Sequence, residues 1–246
     1  ERPANAVEID DRLVRGDIYV RTVVVPEGYT IFDVAQAVEN AGLGPKEEFL
    51  KVAITDTELV RDLSPAAATL EGFLFPNTYE FTRTQSMEDI AGAMVRQFRQ
   101  VAKEVGLTSN IPGVVTLASI VEKETGAPEE RAIVASVYDN RARRNMLLQA
   151  DPSVVYGELL QGAFTGALHH DDMKFDSPYN TYRHAGLPPG PIASPGRSAL
   201  QAAMHPANTD YLYFVADGSG RHKFSRSLEE HNRNVAAYRK ALNGQR

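Results

Sequence analysis

A carboxyl group among apolar residues is a place where chemistry can begin, and LASIVEKET, residues 117–125, holds one. At 100° per residue, Val114, Leu117, Ile120 and Val121 form a single helical stripe. Glu124 falls inside it, four positions after Ile120 and three after Val121. Glu122 points well away from that stripe. Desolvation on an apolar face raises a carboxyl pKa unless a partner compensates. A raised pKa lets a carboxylic acid keep its proton near neutral pH and act as a general acid. Two plainer readings compete: a frayed helix end just before Gly126, or an ion pair with an arginine.

The histidines are the second candidates. His169-His170-Asp171-Asp172 has metal-binding side chains, but adjacent loop residues rarely converge on one ion, and helical zinc pairs need i, i+4 spacing. A solvated loop is the better reading. His231 lies between Leu228 and Val235 on the apolar face of the last helical segment, as expected of a core histidine bonded to a backbone carbonyl. His184, His205 and His222 sit in or beside loops, where any could line a cleft. No nucleophile elbow, phosphate-binding loop or dinucleotide fingerprint is present. Three loop-rich stretches, 149–157, 177–196 and 205–225, combine tyrosines, amides and prolines. Such side chains suit a carbohydrate groove, since a sugar ring offers an apolar face and hydroxyl edges. An ordinary irregular region with structural prolines would look much the same.

Several elements must position these residues. IYVRTVVV, residues 18–25, is β-branched and closes at Pro26-Glu27-Gly28. Thr30 with Asp33 caps a helix through Ile31, Val34, Ala35 and Val38, and Pro45 opens a second short one. LEGFLFPNTYEF, residues 70–81, is aromatic and strand-like around Asn77, and Ser86 begins a long amphipathic helix. The helix carrying Glu124 spans about 114–125, and Pro128 starts another with Ile133, Val134, Val137 and Tyr138 on one face. Residues 149–196 read as loops. Ser194-Pro195 opens a helix to His205, residues 210–225 form a hairpin turning at Asp217–Gly220, and Ser227 with Glu230 caps the final helix.

The composition narrows the classes. At roughly 150 residues per domain, 246 residues make one large domain, or a large one with a small companion. With 43% apolar and 24% charged residues the chain is neither disordered nor fibrous. A net charge of -6 argues against nucleic acid as a partner. The absence of cysteine excludes disulfides, thiolate metal sites and cysteine nucleophiles. No apolar run is long enough to span a bilayer.

The same motifs carry a resemblance. LEGFLFPNTYEF, ASIVEKET, RAIVASVYDNR, QADPSVVYG, YNTYRHAGLPPGPIASPG and HPANTDYLYFVADGSGRHKFSRSLEEHN follow one another in the order of the YceG-like family of endolytic murein transglycosylases, over roughly residues 20–242. The resemblance implies an α+β fold: residues 1–17 a flexible tail, 18–69 a shortened LysM-like module, and 70–246 a catalytic domain. It implies a lytic transglycosylase that cuts the bond between N-acetylmuramic acid and N-acetylglucosamine in nascent peptidoglycan strands and leaves 1,6-anhydro ends. Family members carry an N-terminal transmembrane helix, missing from this chain, which would hold the catalytic domain outside the cytoplasmic membrane. The family's catalytic glutamate, the second of Glu-Lys-Glu, falls on Glu124. One carboxyl group then serves as acid and base in turn, with no metal or cofactor. Glu122 and Asp151 are candidates for orienting the sugar or polarising Glu124, and Glu71 is another. Gln149, Tyr179, Asn180 and Tyr182 are expected groove contacts. The expected partners are peptidoglycan strands and cell-wall synthases of the penicillin-binding class. A lysozyme-like hydrolase using water and a non-catalytic peptidoglycan-binding scaffold are the alternatives.

Overall fold

Alternation along Arg21–Val25 (β1) gives a strand with one buried face: Val23 and Val25 point inward and Val24 outward. In the computed structural model, which describes residues 19–243, β1 pairs antiparallel with Asn77–Phe81 (β2), Val23 opposite Tyr79. The expected tail over 1–17, and the start of the first strand at Ile18, lie outside the described residues. Between the two strands run Ile31–Asn40 (α1) and Lys46–Thr55 (α2). Thr30 and Asp33 exchange both bonds of a capping box at the head of α1, and Pro45 stands at the N-cap of α2. The strand expected around Asn77 forms as Asn77–Phe81, and residues 71–73 before it turn. Gly72 sits there at φ 82°, and a Cβ on it would come within 2.5 Å of the Pro191 side chain.

Met87–Glu104 (α3) begins with a Ser86–Asp89 capping box and buries Ile90, Met94, Val95, Phe98 and Val101. Ile111–Glu124 (α4) and Arg131–Arg143 (α5) follow, the latter entered through a 3-10 turn at Pro128–Glu130. Asp151–Gln161 (α6) corrects the reading of 149–196 as loops. Pro152 fits the first turn of a helix, where its missing N–H is no loss. Gly157 is no breaker: a Cβ there would lie 2.6 Å from Ser177 Oγ, so glycine lets the following loop pack against the helix. Arg197–Met204 (α7), the hairpin Tyr213–Ala216 (β3) and His222–Ser225 (β4), and Leu228–Asn243 (α8) complete the order.

The fold is α+β, with eight helices and two two-stranded antiparallel sheets among the described residues. One apolar core joins β1, β2, α1, α2, α3, α7 and the first half of α4. A second is built on Ile120, Val121, Val134, Tyr138, Leu148, Tyr156 and Ile192. α4 is common to both, with Val115 and Ala118 in the first and Ile120 and Val121 in the second. The division expected at 69/70 is crossed by the β1–β2 pairing and by the first core. No described helix is long and apolar enough to cross a membrane.

Candidate active site

Thr125 is extended, at φ -140° and ψ 130°, so α4 stops at Glu124, whose side chain borders an open space. That space is a cleft of about 260 Å³ lined by Glu124, Tyr138, Arg141, Leu148, Gln149, Asp151, Tyr182, Phe214 and His231. The buried Tyr138 hydroxyl donates a 2.7 Å hydrogen bond to Glu124 Oε1. Burial pushes the Glu124 pKa up to about 7; the Tyr138 bond opposes this, and the Asp151 charge adds to it. The C-terminal end of a helix dipole also disfavours a carboxylate. The frayed-end and ion-pair readings of Glu124 therefore give way to a desolvated carboxyl group bonded to a neutral donor.

The cleft walls are held by a few specific contacts. Arg141 Nε donates to the Leu212 carbonyl at 2.6 Å, and Nη1 donates to the carbonyl of Leu148 at 2.9 Å and to Gln149 Oε1 at 3.2 Å. Its guanidinium lies over the Tyr213 ring, 5.0 Å from the centroid. One side chain thus ties α5 to the approach to α6 and to the hairpin. Gln149 is held at φ 54°, a left-handed conformation costly for a non-glycine residue, with its N–H bonded to the Thr181 carbonyl. Asp151 opens α6, where the dipole favours a carboxylate, and accepts from the Tyr182 hydroxyl.

Of the expected site residues, Glu124, Gln149, Asp151 and Tyr182 meet in the cleft, and the other four are placed elsewhere. Glu122 is turned away from the cleft but buried: Oε1 accepts from Arg131 Nη2 at 2.6 Å, and Oε2 from the Gly196 amide at 2.9 Å. It ties α4 to α5 and to the start of α7. Glu71 accepts from the Ile31 amide at 2.9 Å and the Gly72 amide at 3.2 Å, so it caps α1 across 40 residues of chain. Burial raises its pKa to about 7 against those two bonds. It lines a separate cavity of about 90 Å³ with Tyr179, whose ring meets Tyr156 edge-on at 5.0 Å. Asn180 is wholly buried, donating to the carbonyls of Met173 and Phe175 and accepting from the Tyr182 amide. It shapes the loop that delivers Tyr182.

Five residues of the cleft are not singled out as site residues by the sequence: Tyr138, Arg141, Leu148, Phe214 and His231, the last read there as a core histidine. Tyr138 follows Val134 by four positions and looked like core, which its ring is; the hydroxyl at its tip is the polar handle. His231 is not bonded to a backbone carbonyl: its buried Nδ1 has no partner. At 169–172, Asp172 accepts from the His169 amide at 2.6 Å and Asp171 pairs with Lys174 at 2.9 Å. Among the described residues no three His, Asp or Glu side chains converge as metal ligands.

Residues 1–237 match the profile of the YceG-like family. An endolytic murein transglycosylase of Bacillus subtilis is 34% identical over 240 aligned residues, covering 89% of this chain and 66% of that protein. One from Streptococcus pneumoniae is 32% identical over 246 aligned residues, covering 88% of this chain and 44% of that protein. The chain thus spans 44–66% of the length of these relatives. The crystal structure of a yceG-like protein from Listeria monocytogenes superposes with a TM-score of 0.74 at 34% identity, covering 93% of this chain and 81% of that one.

Proposed function

The chain belongs to the YceG-like family, and from that premise we propose that it is an endolytic lytic transglycosylase. Its substrate would be nascent peptidoglycan, cut at the β-1,4 bond between N-acetylmuramic acid and N-acetylglucosamine. The observation that carries this reading is one half-buried carboxyl group, Glu124, with a pKa near 7 in an open cleft walled by tyrosine, amide and carboxylate. Protonated Glu124 gives its proton to the glycosidic oxygen as the bond from that oxygen to the anomeric carbon breaks. The muramic acid 6-hydroxyl then bonds to the anomeric carbon, and its proton passes to the Glu124 carboxylate, restoring the acid. No water enters, and the cut end is a 1,6-anhydro sugar. A pKa close to the working pH serves both halves, because the group must lose and regain a proton in each turnover.

In this reading Gln149, Asp151 and Tyr182 hold hydroxyl and amide groups of the strand, and the Phe214 ring faces the apolar side of a sugar. Glu122 and Glu71 hold the scaffold and do not touch substrate. The LysM-like module over residues 18–69 belongs to the same proposal. The enzyme would work where its substrate lies, outside the cytoplasmic membrane, beside the synthases that make the strands. Mass analysis of muropeptides after incubating purified strands with the protein tests the reading. Products one water lighter than hydrolysis products, with 1,6-anhydro ends, are expected. Reducing ends would mean a lysozyme-like hydrolase, and binding without cleavage a scaffold.

A further inference from the structure

We propose that His231 contacts the substrate in the Glu124 cleft, presenting Nε2–H to an oxygen acceptor of the glycan strand; this rests on glycan strands being the substrate. His231 lines the cleft with Glu124, Asp151 and Tyr182, and α8 contributes no other residue to it. Its ring stacks on Tyr213, centroids 5.2 Å apart and planes 25° apart, so its orientation is fixed before any ligand arrives. Nδ1 is buried with no hydrogen-bond partner, although buried polar atoms are nearly always bonded. The ring therefore meets the cleft by its other edge.

The environment also selects the ring's state. Burial, and the charge of Arg141, which also lies over the Tyr213 ring, hold the imidazole pKa below its ordinary value, so the ring is neutral at neutral pH. Between an orphaned N–H and an orphaned lone pair, the lone pair is tolerated more readily. A nearby guanidinium favours the lone pair as well. The single proton of the neutral ring accordingly sits on Nε2, the cleft side. A neutral donor suits this position. A fixed cation in the same place would pull the Glu124 pKa down and empty the proton that the proposed reaction needs. The matching acceptors on a glycan strand are its hydroxyl, ether and N-acetyl carbonyl oxygens.

The test measures binding of intact glycan strands in a Glu124→Gln background, where bound strands are not consumed. His231→Phe keeps the stack on Tyr213 and removes both nitrogens, and His231→Gln keeps an amide N–H close to the Nε2 position. Binding is expected to weaken roughly three- to tenfold with Phe, the range for loss of one hydrogen bond, and to stay within about threefold with Gln. The thermal midpoint with Phe should be unchanged or raised, because an orphaned buried nitrogen has been removed. Equal binding by all three proteins overturns the proposal. So does weakened binding by both His231 variants together with a lowered midpoint, which would make His231 a structural residue. If the Glu124→Gln parent itself binds no strands, the substrate reading fails, and the proposal falls with it.

Discussion

The hydroxyl of Tyr138 on α5 donates to the carboxyl group of Glu124 on α4, 14 residues earlier, at 2.7 Å. The donor is itself braced. The Tyr138 ring meets Phe214 edge-on at 6.0 Å, and Phe214 meets His222 edge-on at 5.3 Å. His222 Nδ1 lies 2.7 Å from Glu130, the residue just before α5. The hairpin is thereby fastened to the start of the helix whose tyrosine it supports.

Tyr138→Phe removes the one hydrogen bond that favours ionised Glu124, so the Glu124 pKa should rise above about 7. For a general acid, the limb of kcat/KM that falls with increasing pH should move upward by about one pH unit. A pH profile of strand cleavage checks this, and an unmoved limb would show that the bond does not tune Glu124.

Asp151→Asn should act in the opposite direction. Its negative charge is among the causes that hold the Glu124 proton on, after burial itself. Removing it should lower the pKa and shift the same limb toward acid, by less than Tyr138→Phe shifts it upward, because the interaction crosses a solvent-filled cleft. Parallel shifts in both variants would contradict the assignment.

Glu124→Gln should reduce strand cleavage by about two to four orders of magnitude, the usual loss when general acid–base catalysis is removed. It should also raise stability in a pH-dependent way. The folded-state pKa near 7 exceeds the ordinary glutamate value of 4.5, so the folded protein holds this proton more tightly than the unfolded chain. The stability contribution of Glu124 is therefore fully present below about pH 4.5 and is lost as pH rises through about 7. The amide has no such dependence. The stabilisation by Glu124→Gln should be near zero at pH 4.5 and on the order of 1–3 kcal/mol at pH 8, read from denaturant melts at both pH values.

Glu122→Gln should separate scaffold from chemistry. It leaves the Arg131 guanidinium, which is only 9% exposed, with the longer 3.4 Å contact to Glu27 as its remaining carboxylate partner. A loss of about 1–3 kcal/mol of stability is expected, below the usual range for breaking a buried pair because Gln keeps hydrogen-bonding capacity and Glu27 remains. The rate per folded molecule should change little. A large fall in kcat at full stability would bring Glu122 back into the mechanism.

What could be read in the sequence was local. The cap at Thr30–Asp33 forms as its i, i+3 spacing predicts, because both partners lie within one turn, and the helix expected from Ser86 starts there. The stripe Leu117–Ile120–Val121–Glu124 was legible for the same reason: a helix of period 3.6 decides which side chains share a face before anything packs on it. That much singled out Glu124 as a desolvated carboxyl group. The sequence over 149–161 does not separate loop from helix at Gly157, because a glycine that breaks a helix and one that admits Ser177 against it are the same letter. The partners were a tertiary matter. Glu122 sits two residues from Glu124, yet one side chain ends on Arg131 and the other on Tyr138, a choice made by how α5 crosses α4. Asn180 and Tyr182 are neighbours in a loop that buries the first and opens the second. His231 reaches the cleft only because α8 returns along the hairpin, more than 100 residues after Glu124. Periodicity determined which residues turn inward; the crossing of distant elements decided what each one meets there, since desolvation and hydrogen bonding depend on neighbours in space and not on neighbours in the chain.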